Sequence, residues 1–288
     1  MSLPEIHDQP EVREMVFRAL AEDVGTGDVT SLALVTEEET ASGTIVSRGD
    51  YVLSGVRVAA LVFQTLDESL SLDVFGEDGS RAGEGAAVLN VSGRARSILA
   101  AERVALNLLQ HMSGIATLTQ KFVARAHGAA ILDTRKTTPG LRMLEKYAVL
   151  CGGGCNHRTG LYDRVLIKDN HRALWRRRGA GSLGDAVRAA ARMHPGLLVE
   201  VEVESEADLK DVLPARPDWV LLDNMNPDIM ARCVELCRGK CKVEASGGIT
   251  LDNVEEVART GVNAISIGAL THSARAADFS LEFLDLSP

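Results

Sequence analysis

Residues 197–223 read LLVEVEVESEADLKDVLPARPDWVLLD, and they contain one complete strand–helix–strand unit. The first eight residues are rich in valine and alternate apolar with acidic side chains, a pattern typical of a strand. A helical pattern follows in EADLKDVL, and DWVLLD returns to an apolar run. Because a helix between two strands joins them in parallel, this stretch predicts an α/β fold.

The same alternation continues through the second half of the chain. Strand patterns fall at residues 129–134, 164–168, 197–204, 218–223, 242–246 and 263–268. Helical patterns such as LRMLEKYAVL, GDAVRAAARM and NPDIMARCVELC lie between them. Repeated units of this kind predict a parallel sheet with crossover helices, and their number favours a closed or nearly closed barrel. An open doubly wound sheet remains an alternative.

The first hundred residues follow a different pattern. A helical periodicity over residues 11–23 precedes the short alternating segments GTIVSR, YVLSGV, LSLDVFGEDG and AAVLNVSG, which are typical of strands. Residues 97–127 are helical in pattern, and Gly114 predicts a break between two helices there. We therefore expect an N-terminal α+β module over residues 1–110 and a barrel over residues 111–274. A tail over residues 275–288 is expected to pack back on the module.

The composition limits the classes of partner and the location. The 288 residues carry a net charge of -9 at pH 7, which argues against a general nucleic-acid binder. The N-terminus has no basic and apolar leader, and no apolar run is long enough to span a bilayer. Five cysteines, an odd number confined to the second half, indicate free thiols in a reducing compartment. We expect a soluble cytoplasmic protein that binds neither nucleic acid nor membranes.

Chemically active residues stand at the end of each candidate strand. They are Thr134-Arg135-Lys136, Lys168-Asp169-Asn170, Glu202, Asp223-Asn224, Ser246-Gly247-Gly248 and Gly268-Ala269. In a β/α barrel the carboxyl ends of the strands meet at one mouth, where substrates are handled. Any one of these residues alone is better explained as a solvated or snorkelling side chain. Their joint occurrence at six successive strand ends favours a functional site.

Two of these features indicate ligands. The glutamates of residues 198–204 share one face, which in an edge strand would meet water. In a barrel they would point into the lumen and need cations or a metal. The turns SGGIT and GALTHS follow the last two strands and lead toward helices. Backbone N–H groups in such turns can cradle a phosphate, so the pair of turns indicates a phosphorylated substrate.

Longer motifs give the chain a resemblance to a known family. They are AEDVGTGDVTS (21–31), ERVALN (102–107), SGIAT (113–117), DTRKTTPG (133–140), EKYA (145–148), GGGCNHR (152–158), IKDNH (167–171), LDN (222–224), SGG (246–248) and GALTHS (268–273). In this order they closely resemble quinolinate phosphoribosyltransferase, also called nicotinate-nucleotide pyrophosphorylase (carboxylating). The resemblance covers nearly the whole chain.

The resemblance implies a fold, an assembly and a reaction. The fold is type II phosphoribosyltransferase-like, with an N-terminal α+β sandwich module and an incomplete, seven-stranded α/β barrel. The assembly is a homodimer in which each active site combines one subunit's barrel with the other's N-terminal module. The reaction transfers phosphoribosyl from 5-phosphoribosyl 1-pyrophosphate to quinolinate, with Mg²⁺ as cofactor. Its products are nicotinate mononucleotide, pyrophosphate and carbon dioxide, which makes the chain a decarboxylating pentosyltransferase of de novo NAD biosynthesis.

The resemblance also implies roles for individual residues at matching positions. Those implied to hold the carboxylates of quinolinate are Arg135, His157, Arg158, Lys168 and, from the partner subunit, Arg103. Those implied to meet the pyrophosphate, the ribose and Mg²⁺ are Thr134, Lys136, Glu202 and Asp223, the last two reaching the metal through substrate or water. Those implied to take the 5-phosphate are Ser246, Gly247, Gly248, Ile267, Gly268 and Ala269. The catalytic residues among them are Lys136, Lys168, Glu202 and Asp223.

Three alternatives remain, and two features depart from the family pattern, the first being Cys155 between the glycines and Asn156, to which we assign no role. A paralogue of the same fold associated with molybdenum uptake is one alternative, although the NHR and KDNH motifs favour the quinolinate enzyme. A barrel lyase that uses Lys168 as a Schiff-base amine is the second. A non-catalytic scaffold is disfavoured, because a scaffold needs no charge at every strand end. The run LWRRR at residues 174–178 departs from the pattern, and we expect a solvated surface loop there.

Overall fold

The structure is a computed structural model, and it describes residues 3–284. Its strands are β1 (Thr40–Ser47), β2 (Tyr51–Val52), β3 (Ser71–Val74), β4 (Arg81–Ala82), β5 (Ala87–Arg94), β6 (Ala130–Leu132), β7 (Val165–Ile167), β8 (Val199–Val203), β9 (Trp219–Asp223), β10 (Lys242–Ser246), β11 (Ala264–Ser266) and β12 (Phe279–Leu284). Its α-helices are α1 (Pro10–Val24), α2 (Val29–Leu34), α3 (Val56–Leu66), α4 (Ala95–Val123), α5 (Arg142–Cys151), α6 (Asp169–Arg177), α7 (Leu183–Met193), α8 (Glu206–Val212), α9 (Pro227–Cys237), α10 (Val254–Arg259) and α11 (Ala269–His272). Short 3-10 turns cover Ile6–Asp8 and Leu213–Ala215. The chain divides into two compact units.

The first unit comprises the residues up to Gln120, residues 137–153 and the segment from Ala269 onward. Its main sheet is antiparallel, with the strand order β12-β1-β5-β3. Helix α3 packs against α1, β3 and β5. Nearly every side chain from Val56 to Phe63 is buried, so this helix supplies much of the unit's core. Strand β12 pairs with β1 along residues 279–284, and residues 285–288 of the predicted tail lie outside the described part.

Helix α4 differs from its predicted form. It runs without interruption from Ala95 to Val123, through both the predicted break at Gly114 and the predicted domain boundary at residue 110. The break at Gly114 is therefore wrong. A Cβ at this position would lie 2.1 Å from the backbone oxygen of Arg275, which packs directly against the helix. The glycine thus serves a close approach of two backbone segments and leaves the helix intact.

The second unit, Lys121–Lys136 and Gly154–Gly268, contains a six-stranded parallel sheet. Its strand order is β6-β11-β10-β9-β8-β7, and every neighbouring pair is parallel. Helices α7 and α8 pack against β8, and α9 packs against β10. The valines of β8 are all buried, and its glutamates alternate with them. The predicted α/β fold with a parallel sheet is confirmed.

Local sequence explains where the helices of this unit begin. Ser205, two residues after β8, accepts the Asp208 backbone N–H at 3.1 Å through its hydroxyl and so caps α8. Asn226 caps α9 in the same way through Asp228, and Pro227 occupies the first helical position. Residues 174–177, predicted as a loop, belong to α6. Polar and basic side chains are good helix formers, so a charged run of this kind does not by itself indicate a loop.

The resemblance implies seven barrel strands, whereas the described residues form six. On the free side of β6, where a seventh strand would pair, a single residue pairs instead. Cys155 and Leu132 form an isolated parallel bridge there. The Cys155 N–H donates to Ile131 at 2.8 Å, and the Asp133 N–H donates to Cys155 at 3.2 Å. Cys155 thus pairs through its backbone and leaves its side chain exposed. Within residues 3–284, no helix is both long enough and apolar enough to cross a membrane.

Candidate functional site

A pocket of about 300 Å³ lies at the carboxyl ends of the parallel strands in the second unit. Its lining residues are Thr134, Arg135, Lys136, His157, Arg158, Leu166, Lys168, Leu221, Glu244, Ser246 and Ser266. Seven of them were singled out in the sequence, namely Thr134, Arg135, Lys136, His157, Arg158, Lys168 and Ser246. Parallel strands end at the same edge, so residues far apart in sequence meet there.

Two arginines give the pocket concentrated positive charge. Burial lowers the pKa of the Arg158 guanidinium, and the nearby charge of Arg135 lowers it further. The Nε of Arg135 is buried and has no hydrogen-bond partner within residues 3–284. A buried guanidinium donor without an acceptor is costly. The pocket is therefore suited to an anion that would supply the acceptor and separate the two positive charges.

A half-exposed ion pair marks the mouth of this pocket. Lys168 Nζ donates to Glu202 Oε2 at 3.0 Å, and the Lys168 side chain is 46% exposed. Just after the end of β8, the exposed Glu204 pairs with Arg172 at 3.4 Å. The prediction that the glutamates of this strand need cations is confirmed. Since Lys168 keeps access to solvent, it can also reach a ligand.

A second group of charges lies in the floor of the pocket and is buried. His157 Nε2 lies 3.0 Å from Glu200 Oε2 and 3.5 Å from Glu244 Oε2, and both glutamate side chains are fully buried. Arg164 also contacts Glu200, at 3.2 Å. We call His157, Glu200 and Glu244 the floor cluster. The contacts of His157 with both glutamates hold the cluster together beneath the pocket.

The floor cluster shifts the pKa of each of its members. Burial alone would lower the pKa of His157, but hydrogen bonds to Glu200 and Glu244 raise it to about 9. Burial raises the pKa of Glu244, and the charge of Glu200 adds to this effect. For Glu200, burial acts in the same upward direction, yet His157 and Arg164 outweigh it and lower the pKa. Glu244 is therefore the carboxyl that most readily keeps its proton.

The backbone of the GGGCNHR motif is held by buried partners. The His157 N–H donates to Asp133 Oδ1 at 3.0 Å, and Asp133 itself is completely buried. The Arg158 N–H donates to His157 Nδ1 at 2.7 Å. Gly152 lies where a Cβ would sit 2.4 Å from the Ala116 carbonyl oxygen. The motif thus combines close backbone packing with a firmly anchored His157-Arg158 pair.

The first glycine turn adopts a backbone that requires glycine. Gly247 and Gly248 have φ angles of +91° and +62°, and a Cβ on Gly247 would lie 2.3 Å from Asn224 Oδ1. Asn224 is tied to the same turn, because its N–H donates to the Ser246 carbonyl at 2.9 Å. The turn after β10 therefore packs against the end of β9. Ser246 and Asp223 are direct neighbours in the sheet register.

The remaining predicted residues lie outside the pocket lining. Ile267 is 2% exposed, and its N–H donates to Leu132. Gly268 and Ala269 follow it, and Ala269 begins α11. Asp223 is half-buried and accepts a hydrogen bond from the Asn224 amide at 2.9 Å. Arg103 is exposed on α4 in the first unit, 3.7 Å from Glu102.

Sequence reasoning missed several residues of the pocket and its floor. Glu244, Ser266, Leu166 and Leu221 line the pocket, and Arg164 supports Glu200 from beneath. The signal for Glu244 was present, because KVEAS places one acidic residue inside an apolar strand. A charge in such a position needs a partner in the folded protein. No sequence pattern identifies His157 as that partner.

The residues predicted to bind Mg²⁺ differ from the side chains that are grouped closely enough to share a metal ion. Within the described residues, the group of three side chains placed to share an ion is the floor cluster. The predicted Mg²⁺ residues Glu202 and Asp223 do not belong to it. Their carboxylate oxygens are nevertheless the hard donors that Mg²⁺ prefers, and Mg²⁺ commonly completes its shell with water and substrate phosphates. The residue types thus fit the predicted ion.

The parallel sheet and the cation-lined pocket at its carboxyl edge define an α/β-barrel protein whose pocket is suited to an anion. Comparison with family models makes this specific. Residues 115–282 match the model "Quinolinate phosphoribosyl transferase, C-terminal domain", and residues 28–113 match the N-terminal domain of the same family. The chain belongs to the quinolinate phosphoribosyltransferase family.

Individual relatives are similar in sequence to this chain over almost its whole length. The chain is 40% identical to the probable nicotinate-nucleotide pyrophosphorylase (carboxylating) of Bacillus subtilis, over 94% of this chain and 93% of the relative. It is 41% identical to the chloroplastic enzyme of the same name from Oryza sativa, over 97% of this chain and 79% of the relative. Among solved structures, the nicotinate-nucleotide pyrophosphorylase from Francisella tularensis has a TM-score of 0.90 at 37% identity, covering 98% of this chain and 100% of that one.

Proposed function

We propose that the chain transfers phosphoribosyl from 5-phosphoribosyl 1-pyrophosphate to quinolinate, with decarboxylation, as the names of its relatives indicate. The observation that carries this proposal is the pair Arg135 and Arg158 in the pocket, where a buried guanidinium donor has no acceptor within residues 3–284. Quinolinate is a planar dianion, and arginine forks match carboxylates in bidentate fashion.

Quinolinate binding is proposed for the cationic side of the pocket. Arg135 and Arg158 would hold its carboxylates, and Lys168 would approach from the mouth. Lys168 can exchange part of its contact with Glu202 for a substrate carboxylate, because its own side chain is half-exposed and lines the pocket. The resemblance implies a similar contact for His157, whose ring nitrogens both have protein partners.

The second substrate is proposed to occupy the rim next to the glycine turn. Lys136, with Thr134 beside it, would meet the pyrophosphate. The Lys136 N–H donates to the Thr134 hydroxyl at 3.0 Å, so the two residues form one local turn. The residues proposed to take the 5-phosphate are Ser246, Gly247, Gly248, Ile267, Gly268 and Ala269. Left-handed glycines allow a phosphate to approach the backbone closely.

The chemistry follows from where charge develops. Loss of pyrophosphate leaves positive charge on the ribose, which the proposed neighbours Glu202 and Asp223 would stabilise. The pyridine nitrogen then forms its bond to C1 of the ribose. The resulting pyridinium withdraws electrons, so the bond from C2 to its carboxylate breaks and leaves its electron pair on C2. Carbon dioxide departs and C2 takes a proton, with no side-chain nucleophile required.

Magnesium, the dimer and the location are parts of the same proposal. Mg²⁺ would lie beside Glu202 and Asp223, through substrate or water, and would neutralise the leaving pyrophosphate. A homodimer with Arg103 of the partner subunit in each site would add a further cation. For the location we propose the cytoplasm, on the basis of cysteine usage. The names of plant relatives print chloroplastic or mitochondrial locations for those proteins.

The alternative reactions have less support. A Schiff-base lyase needs Lys168 as a neutral amine, whereas its Nζ donates to Glu202 at 3.0 Å. Glu202 therefore competes with a substrate carbonyl for the nitrogen that would have to attack it. The match to both family domains and the names of the relatives also favour the quinolinate enzyme over the molybdenum-associated paralogue.

Turnover by the purified chain tests the proposal. With Mg²⁺ and 5-phosphoribosyl 1-pyrophosphate, we expect quinolinate to yield nicotinate mononucleotide, measured by liquid chromatography. Nicotinate, which lacks the second carboxylate, is the matched control and should react far more slowly. Turnover of nicotinate alongside no product from quinolinate would reject the assignment.

A further inference from the structure

The imidazole of His157 has a protein partner at each ring nitrogen. Nε2 faces Glu200 Oε2 at 3.0 Å and Glu244 Oε2 at 3.5 Å, and Nδ1 accepts the Arg158 N–H at 2.7 Å. The side chain is 6% exposed. A ring in this setting has no N–H group left to offer a substrate carboxylate.

We infer that His157 is a positioning residue: Glu200 and Glu244 hold its ring, and the ring fixes Arg158 in the orientation that receives quinolinate. This inference rests on the proposed function and changes the role that the resemblance implies for His157. The substrate contact passes to Arg158, and the imidazole acts through it. Glu200 and Glu244 then affect quinolinate binding without touching quinolinate.

Two neighbours of the His157 ring favour different protonation states. The two carboxylates favour a second proton and raise the pKa of His157 to about 9. The Arg158 amide opposes that proton, because at 2.7 Å its hydrogen already points at Nδ1. Two hydrogens cannot occupy that space, so we assign the ring a single proton, on Nε2. The Nε2–H group then donates to Glu200, and Glu244 Oε2 lies 3.5 Å from the same nitrogen.

The same hydrogen bond argues against a metal ion in the floor cluster, although the three ligand atoms lie within 4.8 Å of one another. A histidine that binds a metal through Nε2 normally donates its Nδ1–H to an acceptor. Here Nδ1 is itself the acceptor. Metal at Nε2 would require a ring without any proton, so the cluster is better explained as a hydrogen-bonded support.

The support extends beyond the ring. Asp133 accepts the His157 N–H at 3.0 Å, and Arg164 shares Glu200 with the imidazole. Arg158 Nη1 in turn lies 3.4 Å from the Arg164 carbonyl oxygen. The backbone before Arg158 is thus tied to the buried Asp133, and the guanidinium of Arg158 contacts the backbone of Arg164, whose side chain pairs with the buried Glu200. A guanidinium held in this way loses little freedom when it binds a carboxylate.

Substitution of Glu244 tests the inference through substrate affinity. Glu244→Ala removes one of the two carboxylates beside Nε2, and we expect the KM for quinolinate to rise about tenfold, while the KM for 5-phosphoribosyl 1-pyrophosphate stays within about twofold. Glu244→Gln keeps the shape and an acceptor oxygen, so it should recover most of the loss. Glu204→Gln, an exposed glutamate just after β8, is the control and should change neither KM. Equal rises in both KM values would overturn the positioning role.

A spectroscopic measurement on the unmodified protein separates positioning from direct binding. In full-length protein with ¹⁵N-labelled histidine, we expect the His157 ring to show a protonated Nε2 and an unprotonated Nδ1, with both signals unchanged by saturating quinolinate. Loss of the signals in His157→Gln, or their shift in Glu244→Gln, assigns them. A new hydrogen bond or proton at Nδ1 on adding quinolinate would show direct contact and overturn the inference. If calorimetry instead detects no quinolinate binding, the proposed function itself fails, and the role of His157 fails with it.

Discussion

Glu200 and Glu202 lie two residues apart on β8 and point to the same face, yet they have different surroundings. Glu200 is fully buried between His157 and Arg164. Glu202 is 9% exposed and pairs with Lys168, whose side chain is 46% exposed. The same residue type thus serves a fixed pair at the floor of the pocket and an exchangeable pair at its mouth.

The difference teaches how one strand can provide both rigidity and chemistry. A buried charge has no water to replace a lost partner, so the floor pairs persist through a reaction cycle. At the mouth, water screens the pair, and substrate charges can replace either partner at low cost. We therefore assign support to Glu200 and a reacting role to Glu202.

The largest expected effect is on stability at the floor. Glu200→Ala leaves Arg164 and His157 without their buried acceptor, and we expect the free energy of unfolding to fall by about 3–5 kcal/mol. Glu202→Ala is the control at the mouth and should cost at most about 1 kcal/mol, because its partner is half-exposed. Urea denaturation followed by circular dichroism measures both. Equal losses for the two variants would remove the distinction between floor and mouth.

Glu202, whose loss should cost little stability, is expected to matter most for activity. Glu202→Ala should lower kcat about a hundredfold, because a carboxylate that stabilises charge in the transition state is lost. Glu204→Ala, at an exposed position just after β8, should keep the kcat of the unmodified protein. Steady-state kinetics with both substrates saturating provide the test. A kcat for Glu202→Ala near that of the unmodified protein would contradict the reacting role.

The glycine turn is a third region, where backbone shape matters more than charge. Gly247→Ala places a Cβ against Asn224 at a φ of +91°, and we expect the free energy of unfolding to fall by about 2 kcal/mol or more. Gly248→Ala, where the nearest atom would lie 3.9 Å away, should cost about 1 kcal/mol. The KM for 5-phosphoribosyl 1-pyrophosphate should rise in Gly247→Ala. Identical free energies of unfolding for the two variants would mean that the Asn224 side chain moves away from the new Cβ at no cost.

The smallest expected signal, a partial recovery of activity on mixing two variants, tests whether the mouth is shared between subunits. Arg103→Ala and Lys168→Ala should each be nearly inactive alone, and mixing them with subunit exchange should restore about a quarter of full activity. Half of the dimers would be mixed, and each would carry one intact site and one doubly altered site. Native mass spectrometry can monitor the exchange. No recovery despite proven exchange would place both residues in the same subunit's site.

The sequence was sufficient for the parallel sheet, because strand and helix periodicities alternate clearly from residue 129 onward. It was also sufficient for the cations at the mouth, because Lys168 directly follows β7 and Lys136 lies in the short segment after β6. A charged residue that follows an apolar strand pattern can be recognised from the sequence alone. Long-range partners are different: Glu200 and Glu244 lie on separate strands and meet only through His157.

The expectations that failed have local physical reasons. Gly114 was expected to break a helix, but its missing side chain serves the approach of the Arg275 backbone. Residues 174–177 were expected to form a loop because of their charge, although arginine favours helices. The single bridge at Cys155 has no sequence signature, since one paired residue shows no periodicity. Contacts between distant segments decide such cases.

Release of carbon dioxide tests the central claim most directly. Quinolinate labelled in the carboxylate next to the ring nitrogen is incubated with the purified protein, Mg²⁺ and 5-phosphoribosyl 1-pyrophosphate, and labelled carbon dioxide and pyrophosphate are counted together. We predict equal amounts of the two products, and no labelled gas when 5-phosphoribosyl 1-pyrophosphate is left out. Pyrophosphate released with nicotinate, but no labelled gas from quinolinate, would contradict the proposed function.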